Sequence, residues 1–122
     1  MRFLIVDNER LLSENISRYL SNTLKAEVTH VGTATDAIKA LAKESYDLVI
    51  SDLDLPDDME GRWISSAANR HPRQKLIIIS ADQIPQRIVN NVDIKIAAYF
   101  EKPFDLEALK TAVLASLEER KE

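Results

Sequence analysis

Residues 48–56 have the sequence Leu-Val-Ile-Ser-Asp-Leu-Asp-Leu-Pro, a short apolar run that passes directly into acidic residues. An apolar run of this length, rich in β-branched residues, is typical of a strand that helices cover on both faces. Similar runs occupy residues 3–6, 76–79 and 99–100, and each is followed at once by polar or charged residues. We therefore predict strands of one sheet whose carboxyl ends carry the reactive side chains of the chain.

The segments between these runs have the periodicity of amphipathic helices. The predicted inward face of the first helix carries Leu11, Leu12, Ile16, Tyr19, Leu20 and Leu24, and its predicted outward face carries Ser13, Glu14, Ser17 and Arg18. A second helix is predicted after a cap at Thr33 or Thr35, with an inward face of Ala37, Ile38 and Leu41. Residues 27–31, between these two helices, alternate polar and apolar side chains as an edge strand does.

The second half of the chain continues the alternation. A third helix is predicted from about residue 62 to residue 70, where His71 and Pro72 end it. Asp105 can cap a last helix with an apolar stripe of Leu106, Leu109, Val113 and Leu117. Residues 82–98 are less regular, because β-branched residues are interrupted by Asn90 and Asn91, so a fourth helix is expected to be short or distorted.

Strands that alternate with helices in this way specify an α/β fold. We predict a doubly wound parallel sheet of five βα units, with right-handed crossovers and helices on both faces. The 122 residues are one domain's length, and a hydrophobic content of 45% is ample for one core. With two glycines and four prolines there is no stretch that resembles a linker. The prediction is a single domain over residues 1–122.

Composition and charge argue against several classes of function. The chain has no cysteine, which leaves neither a disulfide framework nor a thiolate metal site. Its net charge is -4, with lysines and arginines scattered among acids, so direct nucleic-acid binding is not expected. The apolar run after Arg2 is far too short for a signal peptide or a membrane span. We expect a soluble cytoplasmic protein without membrane contact.

Asp7, Asn8 and Asp52 follow the first and third predicted strands. Ligands of open parallel sheets bind outside the carboxyl ends of the strands, where these side chains are expected to converge. Mg²⁺ prefers oxygen ligands and is normally held by one or two carboxylates together with waters and phosphate oxygens. A plainer interpretation is that Asp7 only caps a helix and Asp52 only begins a turn. For each aspartate taken singly, both interpretations stay open.

Asp52 also has the chemistry of a nucleophile. A carboxylate beside a metal can attack phosphorus once charge repulsion is neutralised, and the product is an acyl phosphate. Lys102, after the last strand, can supply a mobile positive charge to the same phosphoryl group, and Ser80 can donate a hydrogen bond to it. Alone, Lys102 would be a solvated loop lysine and Ser80 a helix cap. Their joint placement favours a phosphoryl site.

At this point the chain resembles a known family, the response-regulator receiver domains of bacterial two-component signalling. The matching blocks are Asp7-Asn8, residues 48–56 around Asp52, Ser80-Ala81 and Lys102-Pro103-Phe104, and the likeness covers essentially the whole chain. The resemblance implies a flavodoxin-like sheet with strand order 2-1-3-4-5. It also implies that Asp52 accepts a phosphoryl group and that the domain catalyses this transfer and its own dephosphorylation, without being a turnover enzyme.

The resemblance further implies a role for individual residues. Lys102 would bind the phosphoryl oxygens, and Ser80 and Tyr99 would change position as a switch. The backbone carbonyl of Asp54 would join Asp7, Asn8 and Asp52 as a ligand of Mg²⁺. The side chains of Asp54 and Asp82 would tune dephosphorylation, and the peptide bond after Lys102 would be cis.

The resemblance implies partners as well. The phosphoryl donor would be a sensor histidine kinase or a phosphotransfer protein, and the output would be a further domain or a partner protein, with a homodimer as an additional state.

Three features depart from the family pattern. Asn8 stands where the family usually has an acid that contacts the metal, which predicts a lower metal affinity. Residues 56–61 contain one extra residue, expected to form a local bulge, and no glycine precedes the last strand.

Two other functions stay open at the level of sequence. One is a pseudo-receiver, a binding module that acts without phosphorylation because Asn8 weakens the metal site. The other is a haloacid-dehalogenase-like phosphohydrolase, since Asp52 and Asp54 also resemble the nucleophile motif of that superfamily. In that superfamily, however, the motif normally follows the first strand of a larger domain. Here it follows the third predicted strand.

Overall fold

The computed structural model describes residues 1–58, 61–89 and 96–118. The elements within these ranges are β1 (Arg2–Val6), α1 (Arg10–Leu24), β2 (Glu27–Val31), α2 (Ala34–Lys43), β3 (Leu48–Asp52), α3 (Arg62–Arg70), β4 (Leu76–Ser80), α4 (Gln86–Val89), β5 (Ile96–Glu101) and α5 (Leu106–Glu118). The predicted alternation is confirmed. The part of the irregular segment at residues 90–95 lies outside the described residues, while α4 is short, as expected.

The five strands form one parallel sheet in the order β2-β1-β3-β4-β5. The direction of winding reverses between β1 and β3, because the chain places β2 on one side of β1 and then crosses to place β3, β4 and β5 on the other side. Ligands of doubly wound sheets bind at this reversal point. Val6 lies opposite Ser51 in the register, so the next residues along the two strands, Asp7 and Asp52, emerge side by side.

Each strand sends alternate side chains to opposite faces of the sheet, and the two faces form two cores. Leu4 and Val6 of β1 belong to the core beneath α2 and α3, together with Ile64 of α3. The core beneath α1 and α5 contains Phe3, Ile5, Ile16, Leu20, Leu48, Ile50, Ile77, Ile79, Leu109 and Val113, each with an exposed fraction of 0%. The central strands are mainly apolar because helices cover both faces, and their polar residues Ser51, Asp52 and Ser80 lie at the carboxyl ends.

Two residues of α1 lie on the face opposite to the predicted one, whereas the other predicted inward residues pack in the core: Leu12, Ile16, Tyr19, Leu20 and Leu24. Ser13, predicted to face outward, is fully buried together with Ile16 and Leu20, whereas Leu11, predicted to face inward, is 77% exposed. Successive residues of a helix are about 100° apart, so Leu11 projects roughly opposite to Ser13. Ile38 of α2, also predicted to face inward, is 37% exposed. An apolar residue next to an inward stripe is therefore not always part of it.

The loop after β3 caps two helices through adjacent aspartates. The Asp57 carboxylate accepts hydrogen bonds from the backbone nitrogens of Ala34 (2.8 Å) and Thr35 (2.9 Å) at the start of α2, and from the Thr35 hydroxyl at 2.7 Å. Oδ2 of Asp58 accepts a hydrogen bond from the backbone nitrogen of Trp63 in α3, at 2.6 Å. The extra residue of this loop was predicted to form a bulge. Residues 59 and 60 lie outside the described ranges.

We expect the replacement of Asp57 by Asn to destabilise the fold at neutral pH, because an amide accepts fewer hydrogen bonds than a carboxylate. Hydrogen bonds from Thr35 and Ala34 lower the pKa of Asp57 from 3.8 to about 2. A lowered pKa stabilises the folded state above the unfolded value and loses this effect as the pH falls through the folded value. Urea midpoints of wild type and variant should therefore converge as the pH falls from 3.8 to about 2.

The control for this experiment is Asp36→Asn, which removes an exposed carboxylate from the first turn of the same helix. Its urea midpoint should stay closer to that of the wild type. A difference between wild type and Asp57→Asn that is independent of pH would contradict the proposed role of the Asp57 charge.

Candidate functional site

An ammonium group and three carboxylates meet at the carboxyl edge of the sheet. Nζ of Lys102 lies 2.7 Å from Oδ2 of Asp52, 3.1 Å from Oδ2 of Asp7 and 3.3 Å from Oε1 of Glu9. The Lys102 side chain is 10% exposed, and those of Asp7 and Asp52 are 0% and 6% exposed. The sequence predicted that these residues meet in one crevice at the strand ends, and the structure places Lys102 in contact with both aspartates.

The strand register explains how Lys102 reaches this position. β5 pairs with β4, and Glu101 lies opposite Ser80 at the end of both strands. The backbone nitrogen of Lys102 donates a hydrogen bond to the carbonyl oxygen of Ser80 at 2.7 Å. The peptide bond between Lys102 and Pro103 is cis, as the family resemblance implied. The end of β5 is thereby fixed beside the end of β4, with the lysine directed towards β3 and β1.

Asp7 combines an anchored oxygen with one that accepts no hydrogen bond. Oδ1 accepts a hydrogen bond from the backbone nitrogen of Glu9 at 2.8 Å. Oδ2 is buried without a hydrogen bond, and its contact with Lys102 is an ion pair only. Burial raises the pKa of the Asp7 carboxyl above its ordinary value, outweighing the effects of the Glu9 amide and Lys102, which lower it. Such an oxygen is suited to binding a cation.

The backbone carbonyl of Asp7 is also held in place. It accepts a hydrogen bond from the hydroxyl of the buried Ser13 at 3.3 Å, and Nε2 of His30 donates to it at 3.0 Å. The sequence indicated an outward Ser13. Ser13 is instead buried, and together with His30, which is exposed at the sheet edge, it fixes the position of the loop after β1.

The Asp52 carboxylate is held between two donors. Oδ1 accepts a hydrogen bond from the backbone nitrogen of Asp54 at 3.0 Å, and Oδ2 accepts one from Lys102 at 2.7 Å. Ser51, the preceding residue, is fully buried and its hydroxyl donates to the carbonyl oxygen of Asp52 at 2.8 Å. The acid is thus fixed in orientation at the end of β3, in a position with little solvent exposure.

The residues at the ends of β4 and β5 lie around this acid cluster. Ser80 is 1% exposed, and its hydroxyl accepts a hydrogen bond from the backbone nitrogen of Asp82 at 3.2 Å. The Asp82 side chain is exposed. Tyr99 of β5 is 37% exposed, and partial burial raises the pKa of its phenol. Ser80 therefore borders the crevice, while Tyr99 lies on the outer strand.

Asn8, which the sequence suggested as a metal ligand, lies outside the acid cluster, whereas Glu9 lies in it. Asn8 is exposed, and no hydrogen bond of its side chain occurs within the described residues, whereas Glu9 contacts Lys102. Glu9 is not among the residues predicted for the site, although its position next to Asp7 and Asn8 is a signal that the sequence contains. Across residues 1–58, 61–89 and 96–118, no three His, Asp or Glu side chains already form a metal-binding group. The structure thus presents two buried carboxylates and one exposed carboxylate around an ammonium.

Within the same ranges, no helix has both the length and the apolar character needed to cross a membrane. The longest described helix, α1, has 15 residues and carries charged side chains along its length.

A sequence model of the family described as "Response regulator receiver domain" matches residues 3–114. The transcriptional regulatory protein PmrA of Pectobacterium parmentieri is 34% identical over 119 residues, which cover 94% of this chain and 51% of PmrA. The chain therefore spans about half the length of this curated relative. The match extends over all the elements that build the crevice, from β1 to α5.

Solved structures show the same fold. The signal receiver domain of a Luxo repressor protein from Vibrio parahaemolyticus superposes with a TM-score of 0.87 and 27% identity, covering 98% of this chain and 92% of that chain. The response regulator protein TrrA from Thermotoga maritima, solved in complex with Mg²⁺ and BeF, has a TM-score of 0.82 and 23% identity, covering 95% of this chain and 98% of that chain. The chain belongs to the response regulator receiver domain family of two-component signal transduction.

Proposed function

We propose that Asp52 accepts a phosphoryl group from the phosphohistidine of a sensor histidine kinase or a phosphotransfer protein. The observation that carries this proposal is the 2.7 Å hydrogen bond between Lys102 and Asp52. It places a nucleophilic carboxylate and a cation for the phosphoryl oxygens together at the reversal point of the sheet. A lysine that only solvates a loop, or an aspartate that only begins a turn, would not be expected to form such a buried contact.

In the proposed transfer, a carboxylate oxygen of Asp52 forms the new bond to phosphorus. The bond from phosphorus to the donor breaks at the same centre, and the donor leaves with the electron pair. Lys102 exchanges part of its contact with Asp52 for the phosphoryl oxygens, so that negative charge stays paired. Ser80 turns its hydroxyl to donate to the same group. Attack of water on phosphorus later releases inorganic phosphate and restores the carboxylate.

The oxygens at the crevice fit Mg²⁺, since Oδ2 of Asp7 is buried and accepts no hydrogen bond. Asp7, Asn8, Asp52 and the backbone carbonyl of Asp54 would hold the ion, which supplies neutralisation of the phosphoryl charge. The complex of TrrA with Mg²⁺ and BeF supports this assignment by similarity of fold. The side chains of Asp54 and Asp82 are proposed to set the lifetime of the acyl phosphate.

The output of the domain is proposed to follow from Ser80 and Tyr99. When the Ser80 hydroxyl turns from the Asp82 amide to the phosphoryl group, the loop after β4 must adjust. Tyr99, which is 37% exposed, can then pack inward, and the surface of β4 and β5 changes. A partner or output domain that prefers one of the two conformations shifts their populations. The domain would comprise residues 1–122, act in the cytoplasm and self-associate as a homodimer in one of its states.

The proposal predicts that the wild-type protein gains the mass of one phosphoryl group when incubated with acetyl phosphate and Mg²⁺. Without the ion, repulsion between the acids and the phosphoryl oxygens is unscreened, so we expect the gain to fall by at least about 10²-fold in rate. Intact-mass spectrometry measures the product, and acetylation is separated by its smaller mass increment. Phosphorylation at the same rate in the presence of EDTA as in the presence of Mg²⁺ would contradict the role of the ion.

The exposed Asn8 favours one competing function, a pseudo-receiver that binds its partner without phosphorylation. The Asn8→Asp variant separates the two functions in the same experiment. If both proteins are labelled, the chain is a phosphoacceptor. If only Asn8→Asp is labelled, the fold has lost its chemistry at Asn8 and its output depends on binding alone.

A further inference from the structure

Glu9 occupies the N-cap position of α1 without capping the helix. Its backbone is extended, with φ -81° and ψ 95°, and its side chain makes no hydrogen bond to the first turn. Ser, Thr, Asp and Asn are the preferred N-cap residues, because their short side chains reach the free backbone nitrogens. Thr33, at the corresponding position of α2, does accept such a bond from Asp36 at 3.1 Å. The Glu9 carboxylate is therefore not used for local helix stability.

The Glu9 side chain is instead directed towards the acid cluster. Oε1 lies 3.3 Å from Nζ of Lys102, although the side chain is still 56% exposed. The hydrogen bond from the Glu9 backbone nitrogen to Oδ1 of Asp7 fixes the turn that places it there. Because glutamate is one methylene longer than aspartate, it reaches the crevice from one position further along the chain. Asn8 points into solvent at the same turn.

The charges in the crevice are not balanced by Lys102. Three carboxylates, those of Asp7, Glu9 and Asp52, contact a single ammonium, which leaves a negative excess. Independently, Oδ2 of Asp7 is buried without a hydrogen bond and faces this cluster. An excess of negative charge around an oxygen that lacks a hydrogen bond attracts a divalent cation.

We infer that Glu9 supplies the third acidic group of the Mg²⁺ site and replaces the charge that Asn8 lacks. This inference rests on the proposed function. In the structure Glu9 pairs with Lys102, and its flexible, half-exposed side chain can turn from the lysine to the ion. The turn would release Lys102 from one of its three carboxylates and leave it available to the phosphoryl group. Glu9 is thus a metal-binding acid that lies one residue beyond Asp7 and Asn8, the two positions that match the acidic pair of the family.

The test is isothermal titration calorimetry with MgCl₂ on four proteins. Glu9→Gln keeps the size and hydrogen-bonding capacity of the side chain but removes its charge, and we expect its Kd for Mg²⁺ to rise by about 10-fold or more. The matched control is Glu14→Gln, which removes a charge from the same helix where Glu14 pairs with Arg10. Its Kd should equal that of the wild type. The double variant Asn8→Asp/Glu9→Gln moves the charge back by one residue and should recover the wild-type Kd.

Each outcome has a defined meaning. Equal Kd values for wild type and Glu9→Gln would overturn the inference while leaving the proposed function intact. A double variant that binds Mg²⁺ as weakly as Glu9→Gln would also overturn the inference, because the carboxylate at position 8 would then not replace that of Glu9. Wild-type protein that binds no Mg²⁺ would overturn both this inference and the metal part of the proposed function. Melting temperatures without Mg²⁺ identify any variant that fails to fold.

Discussion

The Asp52→Asn variant is expected to gain no phosphoryl mass from acetyl phosphate, whereas the wild type gains one group. The amide retains the shape of the carboxylate, and its oxygen can still accept the hydrogen bond from the Asp54 backbone nitrogen, which is 3.0 Å in the wild type. It has no anionic oxygen to attack phosphorus, so the step that forms the acyl phosphate is lost. The measurement is intact mass in the presence of Mg²⁺, followed over time for both proteins.

The matched control is Asp36→Asn, an exposed aspartate of α2 outside the crevice. This variant should be labelled at the wild-type rate, which shows that the loss is specific to Asp52. Labelling of Asp52→Asn at an unchanged rate would place the acceptor elsewhere and refute the assignment. Treatment with hydroxylamine, which cleaves acyl phosphates, should remove the added mass from the wild type.

The Lys102→Met variant is expected to lose both chemistry and stability. Methionine keeps most of the apolar stem of lysine, so the change isolates the ammonium. Without it, phosphoryl oxygens lose a charged donor, and we expect acceptance by Asp52 to slow by about 10²-fold or more. Asp7 and Asp52, with side chains 0% and 6% exposed, lose their common partner. Uncompensated buried charge of this kind destabilises a fold by about 3 kcal/mol.

The pH dependence of this stability difference follows from the Lys102 pKa. Burial lowers it, but the hydrogen bond to Asp52 and the negative charges of Asp52 and Asp7 outweigh burial and raise it above its ordinary value of 10.5. A raised lysine pKa stabilises the fold fully below the unfolded value and loses this effect as the pH rises through the folded value. The urea midpoints of wild type and Lys102→Met should therefore differ at neutral pH and converge in strong alkali.

Lys39→Met is the control, because Lys39 is an exposed residue of α2. It should leave both the labelling rate and the urea midpoint near the wild-type values. A Lys102→Met protein with wild-type stability at neutral pH would show that the carboxylates do not depend on the ammonium. In that case the 2.7 Å contact with Asp52 would not be an important interaction of the folded state.

The sequence was sufficient for the architecture and for most of the candidate site. Short apolar runs predicted β1, β3 and β4, and helical periodicity predicted α3 at residues 62–70, where it is observed. The pattern of acids, hydroxyl and lysine after these strands predicted one crevice, and the structure places Asp7, Asp52 and Lys102 in contact. These predictions succeeded because strand direction alone brings the ends of parallel strands to the same edge.

Other contacts were not visible in the sequence. Ser13 was placed on the wrong face of α1, since its burial depends on the hydrogen bond to the Asp7 carbonyl, which a polarity pattern does not contain. The capping of α2 joins Asp57, in the loop after β3, to residues 22 or 23 positions earlier, in the first turn of the helix. Glu9 was overlooked because glutamate next to a helix start is ordinarily a solvated residue. For Asp57 and Glu9 the partner is distant in the chain.

Residue order alone shows that this chain alternates strands and helices and that reactive side chains follow the strands. Both properties depend on residue type and on spacing over a few positions, which the chain carries locally. Which acids contact Lys102 depends on the packed fold, since the lysine lies 50 positions from Asp52 and reaches it through the pairing of β5 with β4. The position of the Glu9 side chain depends on the turn after β1, which the hydrogen bond from the Glu9 backbone nitrogen to Asp7 fixes beside the crevice.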